Sequence, residues 1–61
     1  MTLFVHFDKA DHRFTVADGL HSIHDLTSAE YADLMNDFAS GAHSAEQVFD
    51  AAARRHAEVT R

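Results

Sequence analysis

His21, His24 and Asp25, in the run His-Ser-Ile-His-Asp, set two imidazoles and a carboxylate within five residues, and the chain carries six histidines in all. These are donor types that hold zinc or a related divalent ion. Two imidazoles three residues apart need a helix to share one face, and this run has no helical signal. No second donor pair stands elsewhere at a metal-binding spacing, so no metal site is expected. The histidines then read as surface groups that take up charge as pH falls toward about 6.5. Catalysis has less to draw on. There is no cysteine, two glycines cannot make a phosphate-cradling loop, and no Ser-His-Asp set is supported by spacing. No catalytic residues, no cofactor and no enzymatic activity are expected.

The carboxylates are the more informative chemistry. From Phe14 to Ala53 the chain holds seven acids, Asp18, Asp25, Glu30, Asp33, Asp37, Glu46 and Asp50, and no Lys or Arg. Residues 1–13 balance Asp8 and Asp11 against Lys9 and Arg13, and residues 54–61 set Arg54, Arg55 and Arg61 against Glu58. A backbone of nucleic acid needs Lys and Arg on its phosphates, so direct binding is disfavoured and a basic partner is favoured. Glu30, Asp33 and Asp37 fall near one another on a helical wheel and read as one exposed edge. Each has an ordinary explanation alone, as a capping residue or part of a solvated face. The missing counter-charge is harder to explain, because like charges at i,i+4 repel and an ordinary solvated helix mixes signs.

The elements that must position these groups are legible from periodicity. Thr-Leu-Phe-Val-His-Phe (2–7) alternates as a strand, with Leu3, Val5 and Phe7 on one face and Phe4 and His6 on the other. Residues 8–11 make a polar turn, and His-Arg-Phe-Thr-Val (12–16) alternates again, completing a β-hairpin. Phe4 makes the first strand apolar on both sides, which requires cover on both or leaves an adhesive patch. Ala-Asp-Gly (17–19) is a turn, and residues 20–25 read equally as a short third strand or an irregular connection. Thr27 and Glu30 then form a capping box, with Leu26 and Tyr31 placed to staple it. Tyr31, Leu34, Met35 and Phe38 form one buried stripe, and Gly41 caps the end. A second helix begins at Ser44 with Gln47 repeating the box. Its apolar stripe is Ala45, Val48, Phe49, Ala52, His56 and Val59, with Glu46 early and Arg54 and Arg55 late to suit the dipole. The expected fold is α+β, an N-terminal antiparallel hairpin packed against two C-terminal α-helices, in a single compact domain over residues 1–61.

At 61 residues such a chain buries only about 60% of its unfolded surface. Absence of cysteine removes any disulfide framework and suits a reducing cytoplasm. Apolar residues at 46%, with five Phe and one Tyr, argue for a real core. No run approaches a membrane span, and the N-terminal residues lack the pattern of a signal peptide.

Small size, the lack of Cys, Pro and Trp, dominance of acid and the compact α+β order together resemble the phage-encoded anti-CRISPR proteins that inhibit type I effector complexes. The resemblance is one of type over the whole chain. It implies a non-enzymatic inhibitor acting in the cytoplasm of a bacterial host on a CRISPR-Cas surveillance complex, such as a type I Cascade subunit. It would block target DNA through a DNA-mimicking surface made of Asp25, Glu30, Asp33, Asp37, Glu46 and Asp50. The Arg-rich end from Arg54 to Arg61 departs from a uniform mimic. Two alternatives stand beside it. One is a phage structural or tail-assembly module binding through Phe4 and the hairpin, and the other an antitoxin-like blocker of a basic partner.

Overall fold

A computed structural model of the chain describes residues 2–59. Three strands, β1 (Phe4–Asp8), β2 (Arg13–Ala17) and β3 (Ser22–Leu26), precede two helices, α1 (Ser28–Ser40) and α2 (Ala45–Val59). The α+β arrangement is as expected, and within the stretch 20–25, read as strand or connection, a third strand begins at Ser22 and runs to Leu26. The sheet runs β1-β2-β3, antiparallel throughout. Partners directly opposite share a face. Val5 lies opposite Val16 and Phe7 opposite Phe14, which puts all four on the helix side, with Phe4 and His6 behind.

The third strand is hard to see in sequence because Ile23 and Leu26 are three residues apart, and strict alternation would send them to opposite faces. The chain solves this with an irregularity. Val16 pairs with Ile23 and Phe14 with Leu26, so β3 holds one residue more than β2 between those pairs. Asp25 sits there with φ of 62°, in the left-handed region. The bulge resets the parity, and Ile23 and Leu26 both enter the core at 7% and 0% exposure. Asp tolerates this conformation where a β-branched residue clashes. Asp25→Val is therefore expected to cost about 1–2 kcal/mol and to lower the thermal midpoint by about 5–10 °C, with Asp25→Gly at or above wild type. Thermal denaturation of the two variants checks this.

Both helices start on their capping residues, and α1 also stops on one. At α1, Glu30 N–H donates to Thr27 Oγ1 (3.2 Å) and Thr27 N–H to Glu30 Oε1 (3.0 Å). Gly41 takes φ of 68° and its N–H reaches the Phe38 carbonyl at 3.3 Å. At α2, Ser44 and Gln47 exchange the same pair of bonds, at 3.0 and 3.3 Å. The core is Val16, Ile23, Leu26, Leu34, Val48, Phe49 and Ala52, with Leu3, Phe14, Tyr31, Met35 and Phe38 packed around it. The α1 stripe is thus as expected. In the α2 stripe one residue is corrected, since Val59 is 62% exposed because the helix there runs past the sheet and α1. Among the described residues, no helix is long and apolar enough to cross a membrane.

One strand is left outside the packing. The helices lie over β2 and β3, and β1 touches β2 alone among the elements. Phe7 packs at a tilt against Phe14 (centroids 4.8 Å apart), which itself stacks on Tyr31 of α1 (4.2 Å). That aromatic chain is the tether. Even so, Phe4, Val5 and Phe7 remain 62%, 45% and 41% exposed.

Candidate functional site

The six carboxylates read as one acidic surface are divided by the fold. Glu30 is not on an exposed edge. It is the one buried charged residue among the described residues, 7% exposed, because its side chain turns back over the helix start. There Oε1 accepts from Thr27 N–H, and Oε2 accepts from Nδ1–H of His56 on α2 at 2.8 Å. Burial pushes the Glu30 carboxyl up, but the Thr27 amide, His56 and the Thr27 hydroxyl outweigh it and hold it below the usual glutamate value. Its work is structural, joining the start of α1 to the end of α2.

Asp37 and Asp50 are exposed or partly so, but they do not lack counter-charge. Arg55 Nη2 lies 3.5 Å from Asp37 Oδ2, and Arg54 Nη2 lies 2.7 Å from Asp50 Oδ2. The Arg-poor stretch borrows its cations from the end of the chain, a pairing 18 residues apart in the case of Asp37. Such surface pairs contribute at most about 1 kcal/mol each, yet they remove the two acids from a uniformly negative face. Arg61 lies outside the described residues. Asp25, as shown above, is placed by a backbone requirement.

Of those six, the ones left exposed with no hydrogen-bonding or ionic partner among the described residues are Asp25, Asp33 and Glu46. They stand on three different elements, β3, α1 and α2.

The histidine cluster also dissolves. His21 is held by Asp18, whose Oδ1 accepts from the backbone N–H of Leu20 (3.0 Å) and of His21 (2.7 Å), while His21 Nδ1 lies 3.3 Å from Oδ2. The imidazole then stacks on Phe49 of α2, centroids 5.4 Å apart. The His21 amide, ahead of the opposing effect of burial and with help from Leu20 and the ring, holds the Asp18 carboxyl below its ordinary value. His24 points to solvent. Among the described residues no three His, Asp or Glu side chains gather as a metal would need. Asp18 was legible only as a turn residue, and its second task, aiming His21 at the core, depends on α2 being present.

Two grooves of about 380 and 360 Å³ flank α2 and open broadly to solvent. The first is walled by the two Arg-Asp pairs with His43 and Gln47, the second by His21, Glu46 and Phe49. Neither encloses a ligand in the way a small-molecule site does.

The largest apolar exposure belongs to β1. Phe4 stands on the back of the sheet, Val5 and Phe7 on the helix side beyond the helices' reach, so the strand offers apolar side chains on both faces. The other edge, β3, differs. It is bulged, its exposed positions are Ser22, His24 and Asp25, and both helices pack against it. Comparison with protein-family models, curated proteins and solved structures found no match to this chain. The chain forms a three-stranded antiparallel sheet backed by an α-hairpin, with one edge guarded and the other open.

Proposed function

We propose that the chain is a non-enzymatic protein–protein interaction module that binds through the open edge and apolar side chains of β1. The observation that carries this reading is the exposure of Phe4, Val5 and Phe7 together on an edge strand that no helix covers. Exposed apolar side chains on both faces of one edge strand mark a contact surface, and the unpaired strand edge adds backbone donors and acceptors to the same place. A non-enzymatic role is supported by the use made of the two carboxylate–imidazole pairs. Glu30–His56 and Asp18–His21 both serve as joints between elements.

A second reading is favoured by a different observation, the exposed and unpartnered Asp25, Asp33 and Glu46. In it the chain is an anti-CRISPR-like inhibitor in a bacterial host cytoplasm, offering carboxylates to a basic, nucleic-acid-binding groove of a surveillance complex. Asp37 and Asp50 would join only by exchanging Arg55 and Arg54 for the partner's cations. The burial of Glu30 removes it from this surface.

One experiment separates the two. Partner binding is measured for Phe4→Ser and for the double variant Asp33→Asn/Glu46→Gln, each at low and high salt. The β1 reading expects at least a tenfold loss with Phe4→Ser and little salt dependence, since a buried aromatic anchor contributes about 2 kcal/mol. The acidic reading expects the loss in the double variant, with affinity falling as salt rises. Undiminished binding by Phe4→Ser would sink the first.

A further inference from the structure

We infer that Asp18–Gly19 is a self-modifying site, at which the Asp18 carboxyl and the Gly19 amide close to a succinimide and reopen as isoaspartate when the β2–β3 turn comes away from α2. Asp18 is the one acid of the chain that is followed by glycine. With no side chain on residue 19, the amide nitrogen there can approach the Asp18 Cγ without a steric obstacle. Nothing lies within 4 Å of the place a Gly19 Cβ would take, so the surroundings add no obstacle either. The next residue, Leu20, is 89% exposed, which puts the turn in reach of the water that the second step consumes.

The chemistry balances without an added reagent. Gly19 N forms a bond to Asp18 Cγ and gives up its proton, and one carboxyl oxygen leaves as water. Water then opens the imide ring. Attack at Cγ restores aspartate, whereas attack at the Asp18 main-chain carbonyl carbon leaves the chain running through Cγ, with the former carbonyl as a free carboxylate. That product is isoaspartate, equal in mass to the original residue but with a longer backbone.

The folded turn holds this reaction back through contacts that end on α2. Asp18 Oδ1 accepts from Leu20 N–H (3.0 Å) and His21 N–H (2.7 Å), and Oδ2 faces His21 Nδ1 at 3.3 Å, so both oxygens are engaged and the side chain is only 5% exposed. Asp18 N–H closes the turn on the His21 carbonyl at 3.0 Å, and the His21 ring stacks on Phe49 of α2. A carboxylate fixed on the amides of residues 20 and 21 cannot turn its Cγ to the Gly19 nitrogen without breaking those bonds. The same bonds favour the ionised form over the acid form that loses water. The rate therefore follows the population in which the turn is open. Conversion also perpetuates the opening, because the lengthened backbone of isoaspartate no longer presents the carboxylate to both amides, and His21 loses the group that aims it at Phe49.

Wild type, His21→Ala and His21→Phe are aged at about pH 6, where a free aspartate keeps a small acid fraction, beside wild type unfolded in urea. Circular dichroism verifies the fold of each variant at the start, and peptide mapping by chromatography and mass spectrometry counts isoaspartate at residue 18. Native wild type is expected to convert about 100-fold more slowly than the unfolded chain, since two N–H bonds to a charged acceptor must open, each a factor of about ten in population. His21→Ala loses both the stack and the contact with Oδ2 and should convert about tenfold faster than native wild type. His21→Phe keeps a ring on Phe49 and should fall between the two. If the alanine variant does not fold, the phenylalanine variant carries the comparison. Native wild type converting as fast as in urea, or folded His21 variants converting no faster than wild type, overturns the proposal. So does a failure of the unfolded chain to form isoaspartate at residue 18.

Discussion

Replacing Leu34 by alanine is expected to cost about 3–4 kcal/mol, a third or more of the stability a chain of this length has. Leu34 is 0% exposed and belongs to a core that has seven buried apolar residues among those described. It sits on α1 in the same cluster as Leu26 of β3 and Val48 and Phe49 of α2, so one side chain joins three elements. Removing its three outer carbons forfeits their transfer free energy and opens a cavity, together about 3–4 kcal/mol. A domain of this length has roughly 3–9 kcal/mol in total. The loss is thus of the same order as the whole stability, where a larger protein would absorb it. Urea denaturation followed by far-ultraviolet circular dichroism measures the difference. Leu20→Ala serves as the control, because Leu20 is 89% exposed in the β2–β3 turn and should change stability by less than about 0.5 kcal/mol. A Leu34→Ala loss under about 1 kcal/mol would mean that the core does not depend on this contact.

The parts of the fold that were legible in the sequence are those governed by local chemistry. A capping box is decided by two residues three apart, and both boxes, at Thr27 and Ser44, form with their reciprocal bonds. The hairpin follows from alternation, and the α1 stripe from a period of 3.6. The features that were not legible depend on contacts between distant residues. Asp37 is 18 residues from Arg55, so its neutralisation exists only once α2 folds back on α1. Glu30 was correctly a capping residue, but its burial comes from His56, 26 residues further on. Counting charges along the chain therefore overstated the acidic surface. The third strand failed to declare itself for another reason. Its two core residues obey the sheet only after a bulge is inserted, and a bulge breaks the alternation by which strands are recognised.

The same folding back leaves the hairpin's first strand uncovered. Two helices of 13 and 15 residues pack over β2 and β3, and the third strand takes the place that would let them reach β1. Leu3, Val5 and Phe7 have the alternation of a buried face, but only Leu3 and, through Phe14, the edge of Phe7 approach the core. An apolar pattern reports which face seeks burial. Whether the same chain supplies the cover depends on the number and placement of its other elements.

Glu30 gives the second large effect, and its sign can be worked out from the bonds. Removing the carboxylate in Glu30→Ala takes away the acceptor of the Thr27 N–H and the 2.8 Å bond to His56 that joins α1 to α2. A lost reciprocal cap and a lost charge-assisted hydrogen bond together cost about 2 kcal/mol. Glu30→Gln keeps an acceptor for Thr27 but loses the charge, so about 1 kcal/mol is expected. The carboxyl is held below its ordinary value of 4.5 in the folded chain. A group whose folded pKa is depressed stabilises fully above its unfolded value and loses that contribution as pH falls through the folded one. Wild-type stability should therefore decline below about pH 5, with Asp18, also depressed from 3.8, adding a slope of the same sign at lower pH. Glu30→Gln should show a shallower decline across the first part of that window, because it has no proton to gain there. Urea midpoints at several pH values between about 3 and 7 measure both slopes. An equal acid slope in wild type and Glu30→Gln would show that the α1–α2 joint does not rest on the ionised carboxylate. A Glu30→Ala loss within about 0.5 kcal/mol would show that His56 finds another acceptor at no cost.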